Sequence, residues 1–288
     1  MNQFKTVALL ALLSALLISI SYSLLGGAMG ATIGILIAAI SNLGAWYFSD
    51  RIALAAYDAQ PISYHEAPEL YQMVERLCQR AQLPMPGVYI VPTGAANAFA
   101  TGRDPEHAAI ALTQGILNVL PEDELEGVIA HELSHVRNRD TLTQAVAATI
   151  GAAISFLAQI VSYSFWFFGG SRDNNNVNPL GLLLTIILAP IAATVIQLAI
   201  SRTREFLADE SAARLTGNPR ALGRALERLE INARKIPMEG NPAFEPLLIT
   251  NPASSQFLAN LFSTHPSNEA RIKNLLQIEQ EMFERQNF

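Results

Sequence analysis

Charged residues are spaced very unevenly along this chain. None occurs between Lys5 and Asp50, between Asp140 and Arg172, or between Asp173 and Arg202. The first uncharged block, residues 6–49, is too long for a single membrane crossing. At about 1.5 Å per residue it makes roughly 65 Å of helix, against a bilayer core of about 30 Å. Gly26, Gly27 and Gly30 interrupt it, so the pattern predicts two helices, 6–25 and 31–49, joined by a tight turn. Trp46 and Tyr47 then fall where an interfacial aromatic belt belongs. A cleaved signal peptide is the alternative for the first helix, because Lys5, an apolar stretch and small residues near Gly30 fit that outline. Against it, the apolar stretch is long for a signal and a second span follows at once.

Two more uncharged blocks, 143–168 and 179–201, flank a polar loop from Gly169 to Asn176. Phe165, Trp166, Phe167 and Phe168 close the first, and Pro190 in the second is tolerable in a membrane helix. Gln159 and Gln197 leave open a buried helical hairpin of the soluble part. In a four-span arrangement Lys5, Arg51, Arg137, Arg139, Arg202 and Arg204 lie on one side and Arg172 on the other. The excess of basic residues places both termini and the charged segments in the cytoplasm.

The remaining sequence is a split soluble domain. Leu70, Met73, Val74 and Leu77 have helical spacing, and the Pro84–Pro86 stretch ends that helix. Val88–Val91 and Ala108–Thr113 read as strands, linked by a Gly/Asn-rich segment around Asn97. Pro121 followed by Glu122, Asp123 and Glu124 marks a helix start, since acids there face the positive end of the helix dipole. Asn218-Pro219 opens another helix, with Leu222, Leu226 and Leu229 on one face. A last helix begins near 267, with Ile272, Leu275, Leu276 and Met282 as its apolar positions. The predicted division is a hairpin over 1–49, a first half-domain over 50–140, a second hairpin over 141–201 and a second half-domain over 202–288.

Composition narrows the function classes. Half of the 288 residues are hydrophobic and 15% are charged, below the quarter or so usual in soluble domains. The net charge of −6 and the lack of a basic run argue against nucleic-acid binding. Cys78 is the single cysteine, so neither an internal disulfide nor a thiolate cluster is available. Its neighbours Val74 and Leu77 mark it as a small buried hydrophobe.

The chemistry is concentrated in His131-Glu132-Leu133-Ser134-His135. Histidines at i and i+4 project from one helix face and can chelate one zinc ion, with Glu132 beside them to take a proton from the metal's water. Leu125, Val128 and Ile129 give the same helix a core face. A catalytic zinc needs a third ligand and an open position. Glu205 is the candidate, and Asp209, one turn on, is placed to accept a hydrogen bond from a ligand histidine and fix its tautomer.

These segments resemble the HtpX family of bacterial membrane metallopeptidases, relatives of the CAAX prenyl proteases. The matching pieces are the N-terminal apolar hairpin, Asn97-Ala98-Phe99-Ala100, the H-E-L-S-H motif, Arg202 to Asp209, and Ser263-Thr264-His265-Pro266. The resemblance implies a gluzincin mechanism with zinc on His131, His135 and Glu205 and with Glu132 as the base. It also implies an oxyanion-stabilising role for His265 and a substrate-binding role for Arg271. Asn97, Ala98 and Phe99 would line the cleft as an edge strand to which a substrate peptide adds. His65 and His107 match no motif and read as ordinary loop or surface residues.

The expected protein is an integral membrane, mainly α chain: four transmembrane helices plus a zincin-like (gluzincin) α+β metalloprotease domain with a small sheet. Its partners would be the lipid bilayer and polypeptide substrates, its site the bacterial inner membrane facing the cytoplasm. Because the metal-binding helix runs almost directly into an apolar block, cleavage of cytoplasmic loops or exposed tails of membrane proteins is the expected activity, and the resemblance implies that these are damaged or misfolded. Three rivals stand beside it: an intramembrane protease, a prenyl-protein protease with an enclosed chamber, and a non-enzymatic scaffold. The charges at Glu122–Glu126 and Arg137–Asp140 speak for an aqueous site and against the first.

Overall fold

The computed structural model describes residues 11, 14–15, 17–22, 25–145, 148, 203–238, 247–249 and 266–286. The second apolar pair, apart from a few residues at its start, lies outside that set, as do His265 and much of the tract 236–262.

The described residues between 11 and 25 are helical. They turn at Gly26 and Gly27 (φ 81° and 54°), left-handed conformations that glycine adopts without strain. The chain then continues as α1, Gly27–Tyr47. Gly30 therefore lies inside the helix rather than in the turn, and its smallness serves packing. A Cβ there would sit 2.5 Å from the Ser21 carbonyl oxygen, and one on Gly34 would sit 2.8 Å from the Ile18 Cα. Small residues four apart let two membrane helices approach this closely. Farther along, Asn42 Nδ2 donates to Ser14 Oγ at 3.0 Å, so the two helices run antiparallel. Among the described residues one helix is long and apolar enough to cross a membrane: Gly27–Gly44, with mean hydropathy 1.6 and 17% of that window buried. Of the expected four spans, this one is clear among the described residues, and the second pair falls almost wholly outside them.

A short helix α2, Ser49–Ala56, leads into the globular part. Its elements are β1 (Gln60–Pro61), α3 (Pro68–Ala81), β2 (Gly87–Val91), β3 (Ala98–Gly102), β4 (Ala108–Thr113), α4 (Gln114–Val119) and α5 (Glu122–Asn138). Residues 203–216 form α6, followed by α7 (Pro219–Lys235) and α8 (Asn268–Gln286). Two of the helix-start cues act where they are read: Asn218 Oδ1 caps α7 by accepting from the Ala221 amide, and three acids occupy the first turn of α5. Pro68 opens α3.

The sheet has four strands, in the order β1-β2-β4-β3, rather than two. The β2–β4 pair is parallel and the two outer pairs are antiparallel. The linker expected around Asn97 is in part the strand β3. One sheet face carries Val88, Ala98, Ala100, Ile110 and Leu112 into the main core against α3, α5 and α7. The other carries Val91, Phe99, Ala109 and Ala111 against Ala53, Leu54 and Tyr57 of α2 and its C-terminal end. β4 is consequently buried along its whole length. The fold is mostly helical with a small mixed sheet.

Candidate metal centre

Helix α5 lies between the sheet and α7. Gly127 permits the close crossing, since a Cβ there would be 3.2 Å from the Leu222 backbone. His131, Glu132 and His135 are all buried within this packing. Helix α6 brings Glu205 and Asp209, one turn apart and both fully buried, to the same point.

Three donor atoms converge. His131 Nε2 and His135 Nε2 are 3.2 Å apart, His135 Nε2 and Glu205 Oε1 are 3.4 Å apart, and His131 Nε2 and Glu205 Oε2 are 3.6 Å apart. Ligand distances of about 2.0–2.2 Å in a tetrahedral zinc site put neighbouring ligand atoms about 3.4 Å apart. The donor set and its spacing therefore fit a tetrahedral cation, with one position left for water or substrate. The ligating nitrogens must be unprotonated for this, and the outer nitrogens are arranged accordingly. His131 Nδ1 lies 2.9 Å from Asp209 Oδ1, and His135 Nδ1 lies 3.3 Å from Asp140 Oδ2. Each carboxylate accepts the Nδ1 proton, which leaves the Nε2 lone pair facing the centre.

The electrostatics follow from burial and these partners. Burial alone would lower both imidazoles, but Asp209 and Glu205 outweigh it and raise His131. With no metal present, Asp140 and Glu205 likewise push His135 up to about 10. Burial raises the Glu132 carboxyl above its ordinary value, opposed by the two histidines and by the Ala100 amide, which donates to it. Burial would raise Asp209 too, but the Arg271 guanidinium more than reverses this and holds it low.

Arg271 reaches this cluster from α8 and is fully buried. It sits behind Asp209, with Nη1 lying 3.7 Å from Glu205 Oε2 and donating to the Ile249 carbonyl at 3.2 Å. Asn97 is also buried, and its Oδ1 accepts from the Ala98 amide. The Phe99 side chain points away from α5 and packs against Tyr57, with ring centroids 5.3 Å apart and planes tilted by 47°. What β3 offers near the centre is backbone: the Ala100 amide binds Glu132, and the Ala98 carbonyl accepts from Ile249 at 3.1 Å. His107 pairs with Asp104 and His65 is exposed, and neither belongs to the cluster. Two participants escaped sequence reasoning: Asp140, and Arg204, whose Nη1 is 3.2 Å from Asp140 Oδ1. Their signals were only a charge before the second uncharged block for Asp140 and, for Arg204, a place in the Arg202–Asp209 segment.

The model of peptidase family M48 matches residues 64–279. The chain is 70% identical to a "Protease HtpX homolog" of Trichormus variabilis, over 98% of both chains. It is 50% identical to one of Pyrococcus furiosus, over 96% of both. The crystal structure of S. mikatae Ste24p shares the fold with a TM-score of 0.51, at 21% identity over 84% of this chain. The chain spans 57% of the length of that protein. The family match takes in every residue of the metal cluster, and the relatives align almost end to end, so this chain belongs to peptidase family M48, among the HtpX proteases.

Proposed function

We propose that this protein is a zinc endopeptidase of the bacterial inner membrane that cleaves cytoplasmic regions of misfolded or damaged membrane proteins. The observation that carries the reading is the convergence of His131, His135 and Glu205 with the buried Glu132 beside them. Two imidazoles, one carboxylate and an open position make the donor set of a catalytic zinc. Bound there, zinc supplies Lewis acidity for the scissile carbonyl and for the attacking water.

The chain's own residues do the rest. Glu132, its carboxyl raised by burial, accepts the proton of the attacking water and delivers it to the leaving amide nitrogen. The Ala100 amide fixes the orientation of that carboxylate. Asp209 keeps His131 in the tautomer that leaves Nε2 free. His265 completes the machinery as the oxyanion-stabilising residue, on the resemblance that suggested it.

Membrane placement is supported by the apolar α1 and by the site's place in the sequence, with His131 and His135 just before one uncharged block and Glu205 just after another. The loop after β3 lies at the far end of α1, where the Arg103 guanidinium sits 5.1 Å from the Tyr47 ring centroid. In this reading 143–168 and 179–201 are two further spans and the catalytic halves face the cytoplasm.

The test is proteolysis of an unfolded protein by the detergent-solubilised full chain, with zinc content measured alongside. Glu132→Gln should keep zinc and lose cleavage by about 10²–10⁴-fold, the usual share of a general base. Glu205→Gln should lose zinc. A wild-type protein that neither holds zinc nor cleaves after zinc is restored would overturn the enzyme reading in favour of a scaffold.

A further inference from the structure

We infer that Asp140 is a positioning residue for His135, and that Arg204 holds it in place, so that the ion pair at the base of segment 141–203 sets the geometry of the metal centre. The inference rests on the metal reading of that centre.

Asp140 stands two residues beyond α5. The helix ends with Arg139 in a left-handed conformation (φ 57°), which turns the chain back toward the histidines. The next residue fixes the turn, since Thr141 Oγ1 donates to the Gly102 carbonyl at 3.0 Å at the end of β3. Asp140 is 1% exposed, and each of its oxygens has its own partner. Oδ2 faces His135 Nδ1 at 3.3 Å and Oδ1 faces Arg204 Nη1 at 3.2 Å. A buried carboxylate with one oxygen on a cation and the other on an imidazole is fixed in rotation as well as in position. It therefore fixes the ring it accepts from.

The two halves of the centre repeat one arrangement. His131 is backed by Asp209, which is backed by Arg271, and His135 is backed by Asp140, which is backed by Arg204. Arg204 also precedes the ligand Glu205 in sequence. Its side chain acts on the centre through Asp140, and so through His135.

Loss of the carboxylate behind a ligand histidine typically weakens metal binding by about 10–100-fold. The experiment is competition for zinc between a chelator and the detergent-solubilised full chain, with thermal unfolding of the metal-free forms measured in parallel. Asp140→Ala should weaken zinc binding by about 10–100-fold. Asp140→Asn, whose amide oxygen still accepts from Nδ1, should recover part of that loss. Arg204→Ala should also weaken binding, and the double variant Asp140→Ala/Arg204→Ala should bind no more weakly than Asp140→Ala alone. Wild-type zinc affinity in Asp140→Ala, with a lowered metal-free midpoint, would reduce Asp140 to a structural residue and overturn the inference. Additive losses would overturn the link to Arg204. A wild-type chain that binds no zinc would overturn the metal reading itself, and the inference with it.

Discussion

Arg271 grips both oxygens of Asp209, donating from Nε at 2.8 Å and from Nη2 at 2.7 Å, and neither side chain is exposed to solvent. Such a pair contributes little net stability, yet removing one partner leaves a buried charge uncompensated, at a cost of about 3–5 kcal/mol. Arg271→Ala should therefore lower unfolding stability by that order and loosen zinc with it. Arg271→Lys should recover little, because a single ammonium cannot reproduce the planar two-point contact. Chemical unfolding and zinc competition check both statements. A direct role on substrate, as the family resemblance implied, would instead raise KM and leave unfolding unchanged.

Cys78 lies on the inner face of α3 and is 3% exposed. Burial, with a smaller contribution from the charge of Glu75, pushes its thiol up to about 11. The thiolate is the reactive form, so native protein at pH 8 should resist alkylation that the denatured chain undergoes readily. Timed labelling with a maleimide, with and without denaturant, measures the difference. Fast labelling of the native chain would show that α3 opens.

Much of this site could be read from the chain because it is written in local periodicities. Pro121 and three acids mark the start of α5, and the i, i+4 spacings of His131–His135 and Glu205–Asp209 place each pair on one face. β3 was harder to read, because Ala98–Gly102 is buried at every position and shows no alternation of apolar and polar residues. Asp140 and Arg204 were missed for a different reason. Their meeting joins points far apart in sequence, and no local pattern encodes it. Arg271 carried a usable signal that went unread: with Leu275, Ile278 and Met282 it forms one stripe of α8, facing inward. Leu276, assigned to that face from spacing, is exposed.

Two glycines should respond in opposite directions to the same substitution. A Cβ on Gly115 would lie 2.3 Å from the Gly94 carbonyl oxygen and 2.5 Å from that of Ala95, both backbone atoms. Gly115→Ala must displace the segment that enters β3, and overpacking of this kind typically costs about 1–3 kcal/mol. Gly223, inside α7, meets nothing closer than Ile272 at 4.0 Å. Gly223→Ala should stabilise by about 0.5–1 kcal/mol through the lower flexibility of the unfolded chain. Unfolding midpoints of the two variants decide both claims, and a destabilised Gly223→Ala would refute the second.

Zinc and protons compete for His135. In the metal-free protein its imidazole is raised to about 10, against about 6.5 in an unfolded chain. Between those values the folded state holds a proton that the unfolded state has released. Stability from this group is therefore fully present below about pH 6.5 and is lost as pH rises through about 10. Metal-free protein should accordingly show an unfolding midpoint that falls from pH 7 to pH 10. Zinc binding must expel the same proton, so apparent zinc affinity should rise over this range, by up to about tenfold per pH unit for each proton displaced. Asp140→Ala, which removes a hydrogen bond that raises His135, should flatten both curves. Equal slopes in wild type and variant would mean that Asp140 does not act on that imidazole.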